Sequence, residues 1–208
     1  YGDLKEGHAL ENISKITTGC DAVELRVDLL NSYDLSFVAE QIGLLRNHTD
    51  IPIIFTIRTK SQGGKFPDDD FDCIGDLTEL AFKMGVTYVD MELSLPEGLF
   101  ATLASKRGFT KIIGSHHDFS GVFKWDNAEW ENKYQFAVSN NVDLVKFVGT
   151  ALDFNDNFAL ENFRKSHKTK PLIAINMRRL GQLSRIVNPL LTPVTHPLLP
   201  NSSAPGQL

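Results

Sequence analysis

Short apolar segments rich in β-branched residues alternate along the chain with longer segments whose apolar positions recur at helical spacing. The short segments predict seven strands, which lie at 22–29, 51–58, 88–93, 111–118, 143–149, 171–177 and 191–196. The longer segments predict helices at 5–19, 34–47, 70–84, 97–107, 127–140 and 154–167. This alternation of strand and helix is typical of an α/β domain with a parallel sheet.

Within several of the predicted strands, apolar residues alternate with charged ones. In the strand at 143–149, for example, Val145 and Phe147 flank Lys146. A parallel strand covered by helices on both faces is apolar throughout, so the alternation disfavours an open doubly wound sheet. It favours a (β/α)8 barrel, whose strands pack one face against the helices and turn polar groups toward the interior near their carboxyl ends.

A (β/α)8 barrel begins with a strand, whereas the first predicted element of this chain is the helix at 5–19. We therefore expect the first barrel strand to lie upstream of the given sequence. The chain also starts without methionine, which indicates a segment of a longer polypeptide. Its 208 residues are expected to form a single barrel domain over 1–208.

Charge and cysteine content narrow the classes of function. The net charge of −5 disfavours nucleic acid and anionic membrane surfaces as partners. No apolar segment approaches the ~20 residues of a membrane span. Two cysteines, Cys20 and Cys73, are too few for a disulfide framework or a zinc site made of four cysteines. Free thiols suit a reducing compartment, and we expect a cytoplasmic protein.

Lys146 is the most informative single residue, because it stands between Val145 and Phe147 in the middle of an apolar strand. Burial disfavours the charged form of an amine, so such a lysine is either paired or used as a nucleophile. Nucleophilic lysines form Schiff bases with carbonyl substrates. The alternative is that Lys146 forms a structural ion pair. Its candidate partners are Glu24, Asp90 and Glu92.

Two adjacent histidines, His116 and His117, end the preceding strand. Only one of two neighbours in a strand can share a face with Lys146. Because side chains alternate between the two faces of a strand, His117 shares the face of Ile113 and Ser115, and we favour it as the inward-facing histidine. It would then be a neighbour of Lys146, placed for proton transfer. A metal site is disfavoured because the two imidazoles point to opposite faces and no third ligand is suitably placed. The alternative is a structural histidine at a strand end.

Arg26, Arg58 and Arg185 are candidates for binding an anion, since a guanidinium offers paired donors to a carboxylate. Several inward cations in an acidic protein indicate a small anionic substrate. The alternative for each arginine is an internal ion pair. We favour that alternative for Arg26, because Glu24 and Asp28 each lie two residues away.

Several segments, in this order along nearly the whole chain, resemble the type I 3-dehydroquinase family. They are Glu24–Asp28 (ELRVD), Phe55–Arg58 (FTIR), Ser115–Phe119 (SHHDF), Lys146 in its apolar strand, Ser184–Arg185, and Ser203–Gln207 (SAPGQ). Each segment alone is a weak signal, but the ordered set is highly specific. Within the family, the chain is most similar to the dehydroquinase segment of the fungal pentafunctional polypeptide, which implies neighbouring shikimate-pathway segments as partners.

This resemblance implies a (β/α)8 barrel that dehydrates 3-dehydroquinate to 3-dehydroshikimate without a cofactor. It implies that Lys146 forms a Schiff base with the substrate ketone, and that His117 acts first as general base and then as general acid. Arg185 corresponds to the arginine that binds the substrate carboxylate. Glu24 and Arg58 correspond to residues that hold ring hydroxyls.

The resemblance also assigns roles to two loops. Ser203 and Gln207 match residues of a closing loop, and the alternative is an exposed terminus without a role. Bacterial members carry a glutamate where this chain has Gln62, and a glutamine can orient an imidazole without stabilising imidazolium by charge. The residues expected to support the site from a second layer are Gln62, Arg26, Asp90 and Glu92.

Two other functions stay open at this point. One is another Schiff-base barrel, such as a class I aldolase, which the Ser203–Gln207 segment disfavours. The other is a non-catalytic, ligand-sensing domain of a transcription regulator, for which loss of Lys146 or His117 is expected. A homodimer is left open as the oligomeric state.

Overall fold

Parallel strands form the centre of the part of the chain that the computed structural model describes, residues 2–6, 9–199, 204, 206 and 207. These strands are β1 (Val23–Arg26), β2 (Ile53–Thr56), β3 (Tyr88–Glu92), β4 (Lys111–His117), β5 (Leu144–Thr150) and β6 (Leu172–Met177). Each of them confirms a predicted strand, with ends that differ by a few residues.

The α-helices of the described chain are α1 (Ile13–Ile16), α2 (Leu35–His48), α3 (Phe71–Lys83), α4 (Glu97–Ser105), α5 (Ala128–Ser139), α6 (Asp156–Ser166) and α7 (Gln182–Val187), and a short 3-10 helix, Arg179–Gly181, leads directly into α7. The predicted helices between 34 and 167 are confirmed by α2 to α6. Helix α3 shows why: the Asp70 carboxylate accepts a hydrogen bond from the Cys73 N–H at 3.3 Å, and Gly85 follows the helix with a φ of 63°. Within the described residues, no helix is long and apolar enough to cross a bilayer.

The six strands lie in the order β1-β2-β3-β4-β5-β6, which is also their order along the chain. An open doubly wound sheet reverses its strand order at a switch point, so this order excludes that alternative. Consecutive parallel strands with a helix between each pair confirm the barrel-type α/β class. The upstream first strand stays a prediction.

Close contacts divide the chain into two compact units. The first unit comprises the described residues of 1–91, 96–112 and 196–202, and it holds β1, β2 and most of β3. The second unit comprises those of 92–95, 113–195 and 203–208, and it holds most of β4, all of β5 and β6, and α5 to α7. The single domain over 1–208 stays a prediction.

The long helix predicted at 5–19 is wrong beyond the single turn of α1. The hydroxyl of Thr17 donates to the Ile13 carbonyl at 2.8 Å, and that of Thr18 donates to the Ser14 carbonyl at 2.7 Å. At Thr18 the hydroxyl takes the carbonyl that the helical N–H would use, and the Thr18 N–H bonds the Lys15 carbonyl instead at 3.4 Å. Gly19 then takes a φ of 75°, which ends the segment.

The strand predicted at 191–196 is also wrong, since these residues pair with no described strand. Leu191 has a φ of 44°, and Pro193 has no N–H to donate to a ladder. The edge of β6 is occupied by side chains instead. The Ala174 N–H donates to Asn188 Oδ1 at 3.2 Å, and the Asn176 N–H donates to Ser184 Oγ at 2.7 Å.

Candidate active site

In the second unit, aromatic packing shows which way the side chains of β4 and β5 point. His116 and Phe147 are partners in the ladder, and both rings contact Trp130 of α5, with centroids 5.8 Å and 4.9 Å away. This face therefore packs against the helices. Because side chains alternate along a strand, His117 and Lys146 both lie on the opposite face.

Lys146 is buried on that opposite face, between one polar and one apolar neighbour. Its ladder partners are Ser115 on β4 and Ile173 on β6, and the residue is only 8% exposed. One step further along the strands is a buried apolar cluster, formed by Val148, Ile175 and Met177. A primary amine is thus held on a central strand where few water molecules can reach it.

Glu92 brings a buried carboxyl group into the same unit. It is 3% exposed, and the next residue, Leu93, donates its N–H to the Ser115 carbonyl at 2.8 Å. This bond places Glu92 beside Ser115 in the ladder, and Ser115 is itself the partner of Lys146. Glu92 and Lys146 therefore flank Ser115 on the two neighbouring strands of the second unit.

Hydrogen bonds of Asp118 hold the loop after β4 in place. Its carboxylate accepts a hydrogen bond from the Phe123 N–H at 3.1 Å, and its own N–H donates to the Val148 carbonyl at 2.8 Å. Between these anchors, the Phe119 ring stacks on the His117 imidazole with centroids 6.1 Å apart. The position of His117 is thus constrained by the loop that follows it as well as by its strand.

Arg185 of α7 is a buried cation without a counter-ion among the described residues. It is 4% exposed, and its Nε atom has no hydrogen-bond partner. Burial lowers the pKa of this guanidinium, because desolvation disfavours the charged form. An anionic ligand would supply the missing partner, and a carboxylate matches the guanidinium geometry.

In the first unit, by contrast, the predicted cations are paired. Arg58 contacts the Asp90 carboxylate at 2.8 Å, and both side chains are almost fully buried. Arg26 makes two parallel bonds to Asp28, at 2.7 Å and 2.8 Å. The internal pair expected for Arg26 is therefore present, with Asp28 as the partner.

Glu24 and the loop after β2 complete the predicted residues of the first unit. The Thr56 hydroxyl donates to Glu24 Oε1 at 2.7 Å. Gln62 is buried in a tight loop, where its N–H donates to the Thr59 carbonyl at 3.1 Å. That loop needs Gly64, because a Cβ there would lie 1.9 Å from the Arg58 carbonyl oxygen.

The described part of the C-terminal segment lies against the end of β6. Gln207 Oε1 accepts a hydrogen bond from the Ala204 N–H at 2.8 Å, which closes a turn. Gly206 has a φ of 80°, and a Cβ on it would lie 2.4 Å from the Arg178 carbonyl oxygen. Ser203 lies outside the described residues, so its predicted role stays a prediction.

Sequence reasoning missed the buried amides that surround α7, Asn157 and Asn176. A signal was present for Asn176, because it is a polar residue in the otherwise apolar segment 171–177. No comparable signal marks Asn157, whose partners at α7, Leu180 and Ser184, lie more than twenty residues away. Within the described residues, no group of three His, Cys, Asp or Glu side chains is arranged to hold a metal ion.

Comparison with known proteins decides the family. The model of the family "Type I 3-dehydroquinase" matches residues 5–208. The chain belongs to the type I 3-dehydroquinase family. It is therefore a lyase of the dehydroquinate dehydratase class, which acts in the shikimate pathway.

Similar family members occur in fungi as parts of longer proteins. The chain is 63% identical to the pentafunctional AROM polypeptide of Komagataella phaffii over 94% of its own length, and 55% identical to that of Saccharomyces cerevisiae over 100%. It spans 13% of the length of each. These dehydroquinase relatives are thus segments of multifunctional polypeptides.

Solved structures of the family support the fold. The dehydroquinate dehydratase and shikimate dehydrogenase structure from S. pombe AroM is 46% identical and has a TM-score of 0.95, over 100% of this chain and 41% of that one. The 3-dehydroquinate dehydratase of Geobacillus kaustophilus is 24% identical, with a TM-score of 0.80 over 96% of this chain and 80% of that one. At this lower identity the likeness is one of fold.

Because Arg185 is buried without a counter-ion among the described residues, we expect its charge to favour binding of an anionic ligand but to lower the stability of the fold. The unfolded chain solvates the cation better, so its charge opposes folding at neutral pH. We expect Arg185→Met to raise the free energy of unfolding, measured by urea denaturation, by about 1 kcal/mol. Arg164→Met is the matched control, because Arg164 bonds the Ala174 carbonyl at 2.6 Å, and we expect it to destabilise. A destabilised Arg185→Met protein would contradict this account of Arg185.

Proposed function

We propose that the chain dehydrates 3-dehydroquinate to 3-dehydroshikimate through an imine between Lys146 Nζ and the C3 ketone of the substrate. The observation that carries this proposal is a buried lysine on a central strand, on the same face as His117 and beside the apolar cluster. Poor access of water also protects an imine at this position from early hydrolysis.

The chemistry needs no external electron acceptor. Lys146 Nζ adds to C3, and loss of one water molecule gives an iminium ion. The iminium withdraws electrons, so a proton can leave C2 to form an enamine. The enamine electrons then expel the C1 hydroxyl, which leaves as a second water molecule with an added proton. Hydrolysis of the product imine releases 3-dehydroshikimate and restores the amine, so one water molecule is lost overall.

His117 is the group proposed to move these protons. It removes the proton from C2 as a general base and returns a proton to the departing C1 hydroxyl as a general acid. In support, His117 shares the face of Lys146, and its ladder partner Val148 is two residues beyond Lys146 on β5. His116 faces the helices and packs on aromatic rings, which suits a structural role.

The remaining residues are proposed to bind the substrate. Arg185 pairs with the substrate carboxylate, and its lack of a counter-ion among the described residues supports this role. Glu24 and Arg58 hold ring hydroxyls, while Ser203 and Gln207 close over the ligand. The residues proposed to support these side chains without contacting the substrate are Gln62, Arg26, Asp90 and Glu92.

Two further proposals concern the setting of the reaction. We expect neighbouring segments of a longer polypeptide to carry other shikimate-pathway activities, as in the AROM relatives. The described cysteines, Cys20 and Cys73, are both free thiols, which suits the cytoplasm.

Replacing the proposed nucleophile tests the function directly. We expect Lys146→Met to abolish turnover of 3-dehydroquinate, measured by the absorbance of the conjugated enone product, because no other group supplies the electron sink. Lys165→Met, an exposed change on α6, is the matched control and is expected to keep full turnover. Substantial turnover by a folded Lys146→Met protein would show that the reaction does not pass through this amine.

The two histidines give a second, paired test. We expect His117→Ala to lower kcat by ~10²–10⁴-fold, the usual contribution of a general acid–base group. His116→Ala should keep most of kcat but lower the melting temperature, since it removes a ring packed near Phe123 and Trp130. The opposite result, with kcat lost in His116→Ala and kept in His117→Ala, would overturn the proposed roles.

A further inference from the structure

Helix α7, which carries Arg185, begins at a residue that cannot cap it. Its N-cap is Gly181, which provides no side-chain hydrogen bond to the first turn. The glycine is required, because a Cβ at this position would lie 2.5 Å from Asn176 Cβ and 2.8 Å from the Asn176 carbonyl oxygen. The close approach of α7 to β6 thus removes the usual source of an N-terminal cap.

Asn157 of α6 supplies that cap from outside the helix. Its Oδ1 accepts a hydrogen bond from the Ser184 N–H at 3.1 Å. Ser184 is the third residue of α7, and the N–H at this position is the normal target of an N-cap side chain. Its Nδ2 donates to the Leu180 carbonyl at 2.7 Å and to the Phe154 carbonyl at 2.8 Å. One buried amide therefore joins the start of α6 to the start of α7.

A second set of bonds ties the same turn to β6. Ser184 Oγ donates to the Gly181 carbonyl at 2.6 Å and accepts from the Asn176 N–H at 2.7 Å. The Asn176 side chain is held in turn, since its Oδ1 accepts from Trp125 Nε1 at 2.8 Å. The backbone of α7 is consequently fixed just before Arg185.

The Arg185 guanidinium has no hydrogen bond or ion pair with another described residue, so the placement of α7 determines where it points. We infer that Asn157 is a positioning residue for Arg185: by capping α7 from α6, it aims the guanidinium at the substrate carboxylate. This inference rests on the proposed function of Arg185. It predicts that Asn157 affects substrate binding without touching the substrate.

The test is steady-state kinetics with 3-dehydroquinate. We expect Asn157→Ala to raise KM by about 5-fold, the scale of one lost hydrogen bond, with a smaller change in kcat. Asn162→Ala is the matched control, since Asn162 is an exposed asparagine of the same helix, and it should leave KM unchanged. An unchanged KM in a folded Asn157→Ala protein would overturn the inference.

Two further variants separate positioning from a general loss of stability. Asn157→Gln keeps an amide oxygen to accept from the Ser184 N–H and an amide nitrogen to donate to the Leu180 and Phe154 carbonyls, so its KM should lie closer to that of the unchanged protein. It also serves as the test protein if Asn157→Ala does not fold. A KM increase in Asn157→Gln equal to or larger than that in Asn157→Ala would contradict the cap as the route.

The second variant is Asn157→Ala combined with Arg185→Ala. If Asn157 acts through Arg185, adding Asn157→Ala to Arg185→Ala should raise KM no further, whereas independent effects would multiply and contradict the inference. The Arg185→Ala protein alone distinguishes failure of the role proposed for Arg185 from failure of the role inferred for Asn157. An unchanged KM there would remove the carboxylate role proposed for Arg185, whereas a raised KM with unchanged Asn157→Ala kinetics would remove the positioning role only.

Discussion

The register between β4 and β5 is the constraint on which the site depends. Ser115 pairs with Lys146, and His116 pairs with Phe147, so the two strands present matching faces. A shift of one residue in β5 would turn Lys146 toward Trp130 and Phe147 toward the site. Burial of the large aromatic rings on the helix side opposes that shift, so the hydrophobic packing of one face keeps Lys146 and His117 on the other.

The candidate anion-binding arginines of the two units differ in their partners. Arg58 and Arg26 have carboxylate partners in the first unit, which offset the cost of their desolvation. Arg185 has none among the described residues of the second unit, and the polar network around α7 holds its backbone instead. The charge of Arg185, which has no partner among the described residues, is available to a ligand. The polar network keeps α7 in place despite the desolvation cost of that charge.

The elements that could be predicted from the sequence are those encoded by local patterns. The strands β1 to β6, the helices α2 to α6 and the alternation around Lys146 and His117 all follow from residues close together in the chain. The strand at 191–196 was wrong because its edge of the sheet is occupied by Ser184 and Asn188, a contact that no local pattern reveals.

Helix α7 and its cap could not be predicted for a similar reason. The helix has only six residues, too few for a clear periodic pattern. Its cap comes from Asn157, twenty-seven residues away from Ser184. The proposed roles of Ser203 and Gln207 came from family resemblance alone, whereas those of Lys146, His117 and Arg185 also follow from burial, strand alternation and charge.

The most direct test of the central claim is mass spectrometry after chemical reduction. Borohydride converts an imine to a stable amine, so treating the protein with 3-dehydroquinate and borohydride should attach the reduced ligand to the peptide that contains Lys146. The account predicts this added mass on Lys146 and on no other lysine. Reduced ligand on a different residue, or none in a preparation that turns over the substrate, would contradict it.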